Sequence, residues 1–247
     1  MPAPSRVQLF ATCLVDRFFP HVGHATVRVL ERAGVDVHVP DGLTCCGQPA
    51  FNGGFTADAA AMARHTIDVL SRSGDPVVVP SGSCADMIVN HYPELFATDP
   101  EYAEKARELA SRTFELSQFL VDVLGITDTG ARTGSQLAYH ASCHGLRGLG
   151  VIDAPLQLLR SAAGERCAEL PDGRTCCGFG GLFAIKMPHI SSAMLQSKLD
   201  AIQASGAEAV VATDVSCLMH MGGGLRRRTK AVRMLHIAEV LAGPDHD

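Results

Sequence analysis

The phrase Cys176-Cys177-Gly178-Phe179-Gly180-Gly181 repeats an earlier one, Cys45-Cys46-Gly47-Gln48-Pro49. Each adjacent pair is flanked by distant single cysteines, Cys13 and Cys84 for the first pair, Cys143 and Cys217 for the second. Cys143 lies 130 residues after Cys13, Cys176 and Cys177 each lie 131 after Cys45 and Cys46, and Cys217 lies 133 after Cys84. Eight of the nine cysteines thus obey one offset, which scattered thiols would not do. The chain reads as a duplicated metal-site module. Its expected parts are a first half over residues 1–125, a linker over 126–135 and a second half over 136–247.

A chain of 247 residues with 47% apolar content suits two such halves and an ordinary buried core. The net charge of −5 argues against a nucleic-acid or anionic-membrane surface. Met1–Arg6 lacks the basic-then-apolar layout of a signal peptide, and no apolar run is long enough to span a bilayer. The expected setting is cytoplasmic. In a reducing cytosol, cysteines serve as metal ligands or catalytic thiols more often than as disulfides. Adjacent cysteines also pair with each other only through a strained ring.

Apolar runs and helical spacing alternate along the chain. Val7–Thr12 reads as a strand ending at Cys13, His24–Ala33 as a helix stopped by Gly34, and Val35–Pro40 as a second strand before Cys45 and Cys46. Thr56 is placed to cap a helix over Ala57–Ser73, and Val77-Val78-Val79 is a third strand whose exit loop, Ser81-Gly82-Ser83, delivers Cys84. Asp99–Ser111 reads as a surface helix, and Phe114–Gly125 as a closing strand and helix. After Ile126–Ser135 the order restarts. Gln136–Ala141, Arg166–Leu170, Ala207–Thr213 and Val232–Leu235 are the strands, and Asp153–Ala163, Pro188–Ala204 and Ala238–Leu241 the helices. The expected fold is α/β: two tandem Rossmann-like halves, each a small, mostly parallel sheet with flanking helices. Every repeated cysteine is then expected in a loop just after a strand, at the edge where such sheets bind ligands.

Four thiolates per half suit a soft metal, either an iron–sulfur cluster or tetrahedral zinc. Structural zinc usually takes two C-x-x-C pairs, and neither half has two. Gly47, Gly178, Gly180 and Gly181 clear side chains from beside the pairs, so that backbone N–H groups can approach sulfur.

In Cys13-Leu14-Val15-Asp16, Cys45-Cys46-Gly47-Gln48-Pro49-Ala50-Phe51-Asn52, Ser81-Gly82-Ser83-Cys84, Cys176-Cys177-Gly178-Phe179-Gly180-Gly181 and Cys217-Leu218-Met219-His220 the chain resembles the cysteine-rich CCG domain family. That family includes a subunit of heterodisulfide reductase and the iron–sulfur subunits of glycolate and glycerol-3-phosphate oxidation. The resemblance covers nearly the whole chain and is strongest to the branch concerned with lactate utilisation. It implies an iron–sulfur electron carrier acting in the oxidation of L-lactate to pyruvate with two companions, a ferredoxin-like iron–sulfur subunit and a third lactate-utilisation protein. The full family motif ends in C-x-x-C, whose last position here is Met87 in one half and His220 in the other. The expected cofactor is therefore a four-thiolate 4Fe-4S cluster, one or two per chain, with zinc as the alternative in one half. A zinc-stabilised scaffold and a dithiol–disulfide protein using the vicinal pairs are the competing functions.

Other residues invite a role. His220 stands where a fifth ligand would be, against the plainer reading of a loop histidine. His144, beside Cys143, could bond sulfur or shuttle a proton, against the plainer reading of a structural loop histidine, and Met87 reads as helix packing. Cys167, outside the repeat, reads as a buried strand thiol. Arg226-Arg227-Arg228 with Lys230 reads as a solvated basic turn, or else as a dock for an acidic partner or an attractor of a carboxylate substrate, and Gly222-Gly223-Gly224 as a flexible loop. No Ser-His-Asp nucleophile, phosphate-binding loop or strand-borne G-x-G-x-x-G motif is present, so no nucleotide or flavin is expected.

Overall fold

Short valine- and alanine-rich segments with no polar side to spare can be satisfied only by burial on both faces, which parallel sheets provide. The computed structural model, which describes residues 3–228 and 231–243, contains two such sheets. The first comprises β1 (Arg6–Leu9), β2 (Asp36–His38), β3 (Val77–Val79) and β4 (Thr113–Glu115), in the order β2-β1-β3-β4. The second comprises β5 (Leu137–His140), β6 (Cys167–Glu169), β7 (Ala209–Ala212) and β8 (Arg233–His236), in the order β6-β5-β7-β8. All pairings are parallel. The register repeats as well, with Val7 opposite Val37 and Leu137 opposite Cys167. Cys167 therefore fills a valine position of the first half, buried in the core as its place in a strand required.

Alternation along the strands separates three cores. Val77 and Val79 point to an outer core with Ile67, Leu70 and Leu109 from helices Thr56–Leu70 and Tyr102–Ser111. Val210 and Ala212 do the same in the second half, toward Leu199 and Leu225 of helices Pro188–Ser205 and Val215–Arg227. Val7, Val78, Leu137, Tyr139, Ala209 and Val211 instead share one central core that belongs to both halves. Helix Ile237–Ala242 packs there on helix Pro20–Arg32, and helix Leu116–Gln118 packs on helix Asp153–Ala163, the same contact made twice around an approximate two-fold axis.

The same pseudosymmetry governs the sheet edges that carry the cysteines. Helix Cys13–Phe18 contacts helix Val215–Arg227, with Val15 and Val215 in one apolar cluster. The matching pair is helix Gly82–Asp86 against the π-helical turn His144–Gly148, and here the approach is closer. A Cβ on Gly82 would lie 2.8 Å from Ser142 Oγ and 3.0 Å from the Gly145 nitrogen. The Gly82 N–H donates to the Thr213 carbonyl across the junction at 3.3 Å.

Three expectations are corrected. Gly222-Gly223-Gly224 is not a loop but lies inside helix Val215–Arg227, where a Cβ on Gly224 would sit 2.7 Å from Leu199 and one on Gly222 3.0 Å from Met234. Close helix packing, not flexibility, accounts for these glycines. Arg226 and Arg227 lie in the last turn of that helix, where cations are stabilised by the negative end of the helix dipole, and Arg228 pairs with Asp200 at 2.6 Å; Lys230 lies outside the described residues. Thr56 does not cap its helix: the cap position is Phe55, which makes no side-chain capping bond. Among the described residues, no helix is long and apolar enough to cross a membrane.

Candidate metal centre

The single cysteines do not sit in loops, as expected, but at helix starts. Cys13 opens helix Cys13–Phe18, Cys84 is in the first turn of Gly82–Asp86, Cys143 precedes the turn His144–Gly148, and Cys217 is in the first turn of Val215–Arg227. A small polar side chain begins each segment. Thr12 accepts from Val15 N–H, Ser81 from Cys84 N–H, Ser142 from Gly145 N–H and Asp214 from Ser216 N–H. These caps turn helices on at the thiols, placing sulfur at the positive end of backbone dipoles. Only the vicinal pairs remain in loops.

In each half the β1–β3 or β5–β7 neighbours are the point where strand order reverses, and their exits carry the single cysteines. Folding thereby gathers each quartet. Cys46 Sγ and Cys84 Sγ are 3.3 Å apart, as are Cys177 Sγ and Cys217 Sγ. Cys13 and Cys46 lie near enough to Cys45 for their thiols to interact with its sulfur, and Cys143 and Cys177 stand in the same relation to Cys176, all as free thiols. All eight thiols line a single cavity of about 220 Å³ between the halves.

The sulfurs share protons unequally. Cys45 is pulled down to about 3, first by the bond from Cys13, then by that from Cys46. Cys176 is likewise pulled down, to about 2, by Cys143 and then Cys177. Cys13, Cys46, Cys143 and Cys177 are pushed up as the proton donors of these contacts. Gly47 and Gly178 act as the sequence implied. Their N–H groups donate to Cys45 Sγ and Cys176 Sγ at 3.5 and 3.3 Å, and both adopt the left-handed conformation with φ of 89° and 91°.

Several polar residues that motif reading missed build the surroundings. Asp214, 2% exposed, caps its own helix through Oδ1 while Oδ2 accepts from the Ser83 N–H and Ser81 hydroxyl of the other half. Asp86 Oδ2 meets His144 Nδ1 at 2.6 Å across the junction, so His144 is held by a carboxylate and not by sulfur. That pairing holds the His144 imidazole above its usual range. His220 lies in a helix, its ring 5.7 Å from that of Phe179, and is absent from the cavity wall. Met87 is buried in the outer core, as its apolar position required. A different histidine, also outside the cavity wall, approaches the thiols: His140, Cys177 and Cys217 place a ring nitrogen and two sulfurs all within 4.8 Å of one another. These three form a group able to hold a metal ion, and only strand register, which motif spacing does not encode, brings His140 to it.

A cysteine-rich domain model, CCG, matches residues 7–89 and 137–222, once in each half. The chain belongs to this cysteine-rich domain family. Within the CCG family it is 48% identical over 235 residues to lactate utilization protein A of Shouchella clausii, spanning 95% of this chain and 98% of that one. It is 47% identical over 236 residues to lactate utilization protein A of Bacillus subtilis, with 96% and 98% covered. A lactate utilization protein A 2 of Bacillus cereus is 46% identical over 237 residues, with the same coverage.

Proposed function

We propose that this CCG protein is the iron–sulfur electron-transfer component of a cytosolic complex that oxidises L-lactate to pyruvate, together with a ferredoxin-like iron–sulfur subunit and a third lactate-utilisation protein. The observation that carries the reading is the cavity walled by all eight repeated cysteines. The names of the full-length relatives support the lactate assignment. Cys13, Cys45, Cys46 and Cys84 would hold one 4Fe-4S group, and Cys143, Cys176, Cys177 and Cys217 a second, with zinc as the alternative in one half. The residues present fit such a group: soft thiol donors converge, backbone N–H groups point at sulfur, and a buried imidazole with no oxygen or nitrogen partner lies beside them. When bound, the group supplies one-electron acceptance and donation.

The protein's own contribution is to hold and tune. The caps and glycines fix the thiols, while Phe10 of one outer core and Leu218 of the other pack in the same clusters as Cys46, Cys84 and Cys177 and keep water from behind them. Residues 1–125 and 136–247 each form one CCG half in this proposal, with 126–135 joining them.

Anaerobic purification tests the reading. A brown protein containing iron and acid-labile sulfide is expected. A colourless protein with stoichiometric zinc would point to a scaffold. A metal-free protein with reversible oxidation at Cys45–Cys46 or Cys176–Cys177 would point to dithiol exchange.

A further inference from the structure

The duplicated halves present the same thiols but not the same wall behind them. His140 stands 130 residues after Phe10, the offset that relates Cys13 to Cys143, and both are fully buried at the carboxyl end of the first strand of their half. Phe10 packs among Cys46 and Cys84 in an apolar cluster. His140 offers a ring nitrogen within 4.8 Å of both Cys177 Sγ and Cys217 Sγ. Its nitrogens find no oxygen or nitrogen partner, and the Cys217 sulfur is the group they reach. A buried imidazole usually satisfies both nitrogens, since an unmet buried polar group is costly. A histidine placed only for packing has no reason to accept that penalty beside two thiols.

A second substitution runs the same way. Gly47 packs on Ala59 and Met62, and Gly178 on Ser191 and Met194, which aligns the two covering helices and sets Lys198 in the place of Thr66. Lys198 is 1% exposed, donates to the Asp172 carbonyl at 2.6 Å, and lies near enough to Cys177, Cys143 and Cys217 for their charges to interact. The first half thus backs its quartet with a phenyl ring and a threonine, the second with an imidazole and an amine.

We infer that the two halves hold unlike centres: His140 is a nitrogen ligand of the second, in place of one thiolate of the quartet Cys143, Cys176, Cys177 and Cys217, and this centre is the more oxidising of the two. The inference rests on the iron–sulfur reading above. Replacing thiolate by neutral imidazole at an iron–sulfur centre raises its reduction potential, and a buried cation acts in the same direction. Electrons are then directed from the first-half quartet to the second across the shared cavity.

The test uses the full chain, reconstituted anaerobically with iron and sulfide and labelled with ¹⁵N-histidine. The reduced wild-type protein is expected to show a histidine-nitrogen hyperfine coupling of directly bound size, retained in His220→Phe. Potentiometric titration should resolve two midpoint potentials, and His140→Phe, which copies Phe10, should lower the upper one and leave the other in place. Iron-loaded wild-type protein without any histidine coupling overturns the inference, and that measurement needs no variant to fold. Two coincident potentials, or an upper potential unmoved in His140→Phe, overturn it as well. A wild-type chain that takes up no iron overturns the cluster reading itself, and this inference with it.

Discussion

Glu115 and His236 hold the same place in the two halves: each ends the last strand of its sheet, caps the helix that follows, and is fully buried. Glu115 Oε2 accepts from the N–H groups of Ser117 and Gln118 and from the Ser117 hydroxyl, while Oε1 has no partner. His236 Nδ1 accepts from the Ala238 N–H, and Glu239 closes the capping box. One position, filled once by an acid and once by a base, gives the fold two opposed responses to pH.

Burial pushes the Glu115 carboxyl up to about 7 and the His236 imidazole down to about 4. For Glu115 the folded state binds the proton more tightly, so its contribution is complete below about 4.5 and is lost as pH rises through 7, a loss of about 3 kcal/mol. For His236 the unfolded state binds the proton more tightly, so its contribution is complete above about 6.5 and is lost as pH falls toward 4, by a similar amount. Denaturant melts across pH 4–8 should show that Glu115→Gln abolishes the decline from about pH 4.5 to 7, and that His236→Asn, which keeps a capping acceptor, softens the decline toward pH 4. A wild-type profile unaltered by either change would contradict both assignments.

Gly82→Ala should weaken the junction between the halves. The added methyl meets the Ser142 hydroxyl and the Gly145 backbone, and backbone cannot step aside. A loss of about 1–3 kcal/mol in urea unfolding is expected. Gly134→Ala, where a Cβ meets nothing, serves as the comparison and should change stability little.

Gly178→Ala places a side chain at φ of 91° and 2.7 Å from the Ser191 carbonyl. The backbone penalty alone is about 1–2 kcal/mol, and the clash adds to it. The loop should swing, taking the Gly178 N–H off Cys176 Sγ. Reduced iron retention on gel filtration, together with a lower denaturation midpoint, is the expected pair of results; full retention would show that this N–H does not support the site.

Cys177→Ser should strip the iron of the second quartet and leave that of the first, read by metal analysis and EPR. Cys167→Ser should leave iron content intact while costing about 1–3 kcal/mol, because a hydroxyl replaces a thiol packed in the central core. Loss of a centre in Cys167→Ser would show that the ninth cysteine is a ligand.

The one-dimensional pattern determined a good deal. The offset between cysteines revealed the duplication, valine runs and helical spacing located most elements, and glycines beside each pair predicted the N–H contacts to sulfur. Such features are local, and each follows from the residues within a turn or a strand. What tertiary structure decided was relational. The helical starts at Cys13, Cys84 and Cys217 depend on caps that resemble ordinary loop residues. Gly222 and Gly224 look like a flexible loop until two other elements press against them. The merger of both quartets into one cavity, the Asp86–His144 contact and the approach of His140 to Cys177 and Cys217 join residues from separate elements, in two cases from separate halves. Those contacts follow from how two twisted sheets stack about a shared core, and no spacing along a chain records the angle at which its halves meet.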